Sequence, residues 1–183
     1  MASLSNFKSA LQYGGARASL FDMTIFDPIS LTGVGSIRLQ FHCNISAIPP
    51  LTVTPIEKQY FGRTVKIPGD IVFGDLSTTI INVEDYKIRN AIEAWMDNIN
   101  TTVDNEGLSD NDSWVSSASL RQYGKDGNAL IDYDFWDIWP TTISEIALSY
   151  DTASDIEQFD VTWAYNYYET VSQGSNVVKG TQS

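Results

Sequence analysis

The sequence predicts a mainly β fold, an antiparallel β-sandwich or barrel of about seven strands with one packed α-helix. Three observations carry this. Apolar and polar residues alternate over residues 36–45 and again over 159–167, the period of a half-buried strand. Strong helical periodicity is confined to residues 85–99. Glycine, proline and Asp-Gly punctuation separates the remaining short runs.

Taken in order, Phe7, Ala10 and Leu11 fall at helical spacing, with Ser5 as cap and Gly14-Gly15 as stop. The period then becomes two, with Phe21, Met23 and Ile25 alternating with Asp22 and Thr24. After a turn at residues 32–35, Ile37, Leu39, Phe41, Cys43 and Ile45 form one phase of a strand. Ser36, Arg38, Gln40, His42 and Asn44 form the other. Residues 47–74 lose the pattern, interrupted by Pro49, Pro50, Pro55 and Pro68 and by Gly62, Gly69 and Gly74. They keep Tyr60, Phe61, Val65 and Ile67, so a projecting, partly extended arm is expected. Residues 76–83 read as strand. Ile88, Ala91, Ile92, Trp95, Met96 and Ile99 then trace one face of a helix that Asp85 or Asn82 can cap.

Residues 100–113 are acidic and asparagine-rich and read as an exposed loop. Strand returns at residues 118–123, followed by a turn at residues 125–128 whose Asp126-Gly127 pair suits a tight hairpin. Ile131, Tyr133 and Phe135 alternate with Asp132 and Asp134, and Trp139-Pro140 is expected to end that strand. Ile146, Leu148 and Tyr150 predict another strand, and Phe159, Val161, Trp163, Tyr165 and Tyr167 the last. One domain over residues 1–169 and a polar tail over 170–183 follow. Phe41, Cys43, Trp95 and Trp163 are the predicted core positions.

Composition narrows the function. With 43% hydrophobic and 19% charged residues, the chain is expected to bury a core. Its formal charge of −12, from 11 basic and 23 acidic residues, disfavours adhesion to nucleic acid or anionic membrane. A single cysteine rules out an internal disulfide, and His42 beside Cys43 points to the opposite face of a strand, so the two do not share a metal. No apolar run approaches the roughly 20 residues of a membrane span, and no signal peptide or membrane anchor is expected.

Catalysis finds no constellation. Carboxylate pairs such as Asp132 with Asp134 or Glu84 with Asp85 arise by chance among this many acids, and none is set apart as a general acid. His42 lacks a nucleophile elbow, and no phosphate-binding glycine loop occurs. The acids between Asp104 and Asp112 lack the spacing of a calcium loop. No enzyme activity, cofactor or metal is expected. Sugar stacking on exposed aromatics remains an alternative, although most aromatics occupy the apolar phase of strands.

Several ordered stretches carry a resemblance: FHCNISAIP at residues 41–49, FGRTVKIPGD at 61–70, RNAIEAWMDNI at 89–99, SASLRQYGKDG at 117–127, DIWPTTISEIALSYD at 137–151 and IEQFDVTWAYNYYE at 156–169. Together the chain resembles the tail tube proteins of T-even-type contractile-tailed phages. The resemblance implies homohexameric rings whose strands join into one multi-subunit barrel, stacked into a helical tube in the virion after assembly in the host cytoplasm. It implies the sheath, baseplate, tape-measure and tail terminator proteins as partners, and passage of DNA without specific binding. On that frame the arm is expected at the ring-to-ring contact, with Tyr60, Phe61 and Arg63 as anchors. The polar strand phases place Arg38, Gln40, Asp132 and Asp134 as lumen candidates. The alternatives are a ring protein of a related contractile injection system, a baseplate tube-initiator or terminator, and, in another class, a sugar-binding sandwich of a tail fibre.

Overall fold

Ten strands and a helix, with helical residues also at Leu4, Asn6 and Ser9, are seen in the described part of the chain, a computed structural model that describes residues 4, 6, 9, 15–26, 37–38, 43–102, 104, 107, 113–146, 148–149 and 156–172. In chain order they are β1 (Phe21–Ile25), β2 (Ile37–Arg38), β3 (Cys43–Ser46), β4 (Leu51–Tyr60), β5 (Arg63–Phe73), β6 (Leu76–Ile81), helix α1 (Lys87–Ile99), β7 (Ser116–Tyr123), β8 (Ala129–Ile143), β9 (Gln158–Ala164) and β10 (Tyr167–Ser172). The strands pair antiparallel in the order β2-β1-β7-β8-β9-β6-β3, with β10 also on β8, while β4 and β5 form a separate ribbon.

Strand β8 joins two layers. Residues Ile131 to Trp136 lie between β7 and β10, whereas Trp139 to Ile143 pair with β9. The change of partner follows Asp137, whose φ of 55° is left-handed. Asn166 holds this corner: its amide nitrogen donates to the Asp137 carboxylate at 2.8 Å and its backbone N–H to the Trp136 carbonyl at 3.1 Å. The first layer is β2-β1-β7-β8-β10 and the second β8-β9-β6-β3.

The core fills the space under both layers. Met23, Ile25, Leu120, Phe135, Leu76, Ile80, Phe159 and Val161 face it from the strands, and Ala91, Ile92 and Trp95 from α1. Trp95 and Trp163 are fully buried with ring centroids 5.9 Å apart. Each indole N–H is satisfied, Trp95 donating to the Trp114 carbonyl at 2.7 Å and Trp163 to Thr78 Oγ1 at 2.9 Å. A buried donor left without an acceptor costs about 1–3 kcal/mol, so these bonds fix which way each indole points.

Several sequence expectations change on folding. The single run at 36–45 belongs to two layers, with β2 on β1 and β3 on β6, because alternation reports a buried face and not the neighbour that buries it. The strand does not end at Trp139-Pro140. Pro140 is buried inside β8 opposite Trp163, where a register shift before Thr142 makes its missing N–H harmless. Residues 144–146 and 148–149 are not strand, so the strand expected around Ile146 and Leu148 is replaced by the C-terminal end of β8. The run at 159–167 is divided at Tyr165-Asn166 into β9 and β10, which sit in different layers. Strand β10 continues to Ser172, past the expected boundary at residue 169.

Neither expected residue caps α1: the N-cap is Tyr86, left-handed at φ 51° and without a side-chain cap bond, while the Asp85 carboxylate accepts the Lys87 backbone N–H at 3.2 Å from one residue earlier and the Asn82 side chain turns away to Glu157. Of the N-terminal helix expected around Phe7, Ala10 and Leu11, the described residues Leu4, Asn6 and Ser9 are helical, while Phe7, Ala10 and Leu11 themselves, and most of the loop at 100–113, lie outside the described residues.

Candidate assembly surfaces

The arm expected at residues 47–74 is a regular hairpin. Every residue of β4 is exposed, and β5 is exposed except at Gly69 and Phe73. The tip is a two-residue turn in which Phe61 (φ 46°) and Gly62 (φ 74°) are both left-handed, the geometry that matches strand twist in tight hairpins. Glycine adopts it freely; phenylalanine is strained there. Phe61 is 91% exposed, and its ring meets that of Tyr60 edge-on at 4.6 Å. Arg63 follows, directly opposite Tyr60. The structure thus groups the three proposed anchors at the outermost point of the ribbon.

Midway, Pro55 faces Pro68 and the register shifts. A Cβ at Gly69 would lie 2.5 Å from the Thr54 carbonyl oxygen, so the crossing strand leaves no room for a side chain. Proline removes a donor from each strand, which limits pairing of the ribbon edges with stray chains.

The base of the arm is fixed to the body by aromatic packing. Phe73 contacts Tyr168 at 5.4 Å and Tyr165 at 6.1 Å, and both tyrosines reach Phe135. The Tyr165 hydroxyl donates to the Gly74 carbonyl at 2.6 Å, and the Gly74 N–H to the Pro50 carbonyl at 3.0 Å. Burial, with Tyr168 and Asp75 nearby, pushes the Tyr165 phenol up to about 12.

A second surface is the outward side of the first layer, opposite the face that presents Met23, Leu120 and Phe135 to the core. Strand register arranges it in rows. Asp22, Arg121, Asp132 and Val171 form one row; Thr24, Ser119, Asp134 and Glu169 the next; Ser117, Trp136 and Tyr167 the third. Trp136 and Tyr167 are stacked at 6.4 Å, each 43% exposed.

The two sequence-proposed aspartates on this face differ. Asp132 is only 5% exposed, because Arg121 covers it with two bonds: Nε to Oδ1 at 2.8 Å and NH2 to Oδ2 at 3.0 Å. Hydrogen bonding to Asp132 raises the Arg121 pKa further above its ordinary value. Asp134 is half-buried beside Glu169, a cross-strand pair of carboxylates. Arg38 is placed in β2 opposite Thr24, whereas Gln40 and the predicted core residue Phe41 lie outside the described residues. Cys43 is half-buried against the core, and burial pushes its thiol up to about 11.

Sequence reasoning did not single out Arg121 or Glu169. The hairpin closes at Gly124 and Asn128, and a register shift between Gln122 and Tyr123 then sets Arg121 opposite Asp132, where unbroken pairing from the turn would give Ile131. Two strand edges of the first layer have no partner among the described residues, β10 on one side and β2 on the other. A cleft of about 180 Å³ between Phe21, Ile48, Leu120 and Tyr133 is lined by no carboxylate.

Comparison with known proteins follows the same lines. The family described as phage tail tube protein matches residues 16–171. The tail tube protein gp19 of Enterobacteria phage T4 is 29% identical over 131 residues, 70% of this chain and 80% of that protein. The tail tube protein of Serratia phage KSP90 is 25% identical over 183 residues, 96% of this chain and 99% of that protein. A chain of the sheath–tube complex of an extracellular contractile injection system, PVC, in its extended state superposes with a TM-score of 0.61. It is 14% identical and covers 94% of this chain and 99% of that one, which is a likeness of fold.

Proposed function

Because the chain belongs to the phage tail tube protein family, we propose that it builds the inner tube of a contractile phage tail, a conduit for DNA that catalyses no reaction and uses no cofactor. Copies close into hexameric rings, and rings stack with a rotation that leaves an open helical tube. The free edges at β10 and β2 pair between neighbours, so the first layers of a ring become one barrel without exposed edges. The arm reaches the adjacent ring, with Tyr60, Phe61 and Arg63 as anchors. The sheath surrounds the tube, the baseplate seeds it, a tape-measure protein sets its length and a terminator caps it. Assembly takes place in the host cytoplasm and the product is part of the virion.

The outward face of the first layer lines the lumen in this reading. Asp134 and Glu169 present negative charge there, while Arg121 offsets that of Asp132. Phosphates passing such a wall are repelled over a Debye length of about 8 Å at physiological salt, so DNA slides without adhering.

The observation that carries the proposal is the arm: a ten-residue strand exposed at every position, with Leu51, Val53, Ile56 and Tyr60 each about half exposed or more. A lone two-stranded ribbon is marginal in water and gains most from a partner surface. Electron microscopy of the purified chain over a range of concentrations tests this. Six-fold rings or hollow tubes are expected. A protein that stays monomeric throughout, even with pre-formed tube ends as seeds, overturns the proposal.

A further inference from the structure

The arm is two-sided beyond its register shift. Ile56 with Ile67, Lys58 with Val65 and Tyr60 with Arg63 are directly opposed pairs, so these six side chains share one side of the ribbon. The other side carries Glu57 with Lys66 and Gln59 with Thr64. Those polar groups already satisfy each other, through an ion pair at 3.0 Å and a hydrogen bond at 3.4 Å. Lys58 and Arg63 form no ion pair among the described residues.

Charge is also segregated along the chain. Residues 51–73 hold three of the 11 basic residues but only two of the 23 acidic ones, so the arm is net +1 and the rest of the chain −13. The body exposes acids such as Asp75, Glu84, Asp97, Asp126 and Glu145.

We propose that the Ile56–Tyr60–Ile67 side of the arm docks on the acidic body of a second copy, Lys58 and Arg63 flanking an apolar stripe, while the Glu57–Lys66 side stays in water. This rests on the self-assembly proposed above and assigns the side and the chemistry of the contact. Stacking subunits of charge −12 is opposed by their mutual repulsion. Two cations at the point of contact offset part of that repulsion. Ile56, Tyr60, Val65 and Ile67, 45–66% exposed, supply the apolar area.

Two charge-matched variants test the side. Lys58→Glu/Arg63→Glu and Gln59→Glu/Thr64→Glu/Lys66→Glu each lower the net charge by four, on opposite sides of the ribbon. Tube formation is followed by light scattering and electron microscopy, and thermal unfolding of both variants checks that the body is intact. The first variant is expected to raise the concentration needed for tubes by about tenfold or more, and the second to change it by less than about twofold. Equal effects, or a larger effect from the second, overturn the inference while leaving the tube reading in place. Absence of rings and tubes from the wild type overturns both.

Discussion

Replacing Arg121 with alanine removes the cation that covers Asp132. A carboxylate side chain 7% exposed would then face an opening previously filled by a guanidinium whose side chain is 45% exposed. Breaking a fully buried pair costs about 3–5 kcal/mol, and breaking an exposed one about 0–1. Water entering from the Arg121 side rehydrates Asp132 in part, so the expected loss lies between these limits, at about 2 kcal/mol. For a chain of this size that is a fall in Tm of about 4–8 °C. Urea unfolding at low protein concentration provides the assay, since a lower midpoint at constant m isolates stability from changes in compactness. In a double-mutant cycle, Arg121→Leu/Asp132→Leu is expected to recover at least half of the loss, because it removes the buried charge with its partner. An Arg121→Ala protein within about 0.5 kcal/mol of wild type would refute the reasoning, placing the pair among surface bridges.

Three further outcomes follow. Phe61→Asn converts the arm tip to the Asn-Gly pair favoured in its turn; slower amide exchange along β4 and β5 is expected, equivalent to about 1 kcal/mol, together with weaker tube formation. Exchange no slower than wild type would show that Phe61 carries no strain. For Tyr165 the folded state favours the protonated phenol, so its contribution is intact below the unfolded pKa near 10 and is lost as pH rises through about 12. Urea midpoints should therefore fall across that window in wild type, and fall less in Tyr165→Phe. On the proposal that Asp134 and Glu169 face the lumen, Asp134→Lys/Glu169→Lys should assemble tubes yet slow genome ejection, and unchanged ejection kinetics would remove the electrostatic part of the proposal.

Much of the fold is legible where alternation and burial share a cause. Phe21 to Ile25 and Leu76 to Ile81 read as strands because one side of each meets the core, and Trp95 reads as helix because Ile92 and Ala91 complete its face. Partnership is less legible. The corner at Tyr165-Asn166 keeps the alternation on either side, so β9 and β10 look continuous although they enter different layers. Pro140 looks like a stop because a proline at a register shift is indistinguishable, in sequence, from one that ends a strand. The arm shows the opposite difficulty. Its prolines and glycines suggest irregular chain, yet Pro55 faces Pro68 and Gly69 leaves room for Thr54, so the same residues confine the irregularity to one register shift in a long ribbon. The Arg121–Asp132 pair was hidden because it depends on a register shift between Gln122 and Tyr123 that the turn residues do not announce.

The pairing of β1 with β7 has a kinetic consequence. Phe21 is registered with Gln122, so this contact closes a loop of about one hundred residues. A ribosome must complete roughly two-thirds of the chain before β1 can pair with β7, whereas β4 and β5 need only the turn between them. Both strands of the arm are therefore available in the nascent chain well before the body that will carry them, although a lone ribbon is only marginally stable. Its apolar side is in water throughout that interval. Folding of the body should be slow, on the order of milliseconds to seconds. Pro55 and Pro68 each take one donor from a ribbon strand, which limits edge-to-edge pairing between early arms.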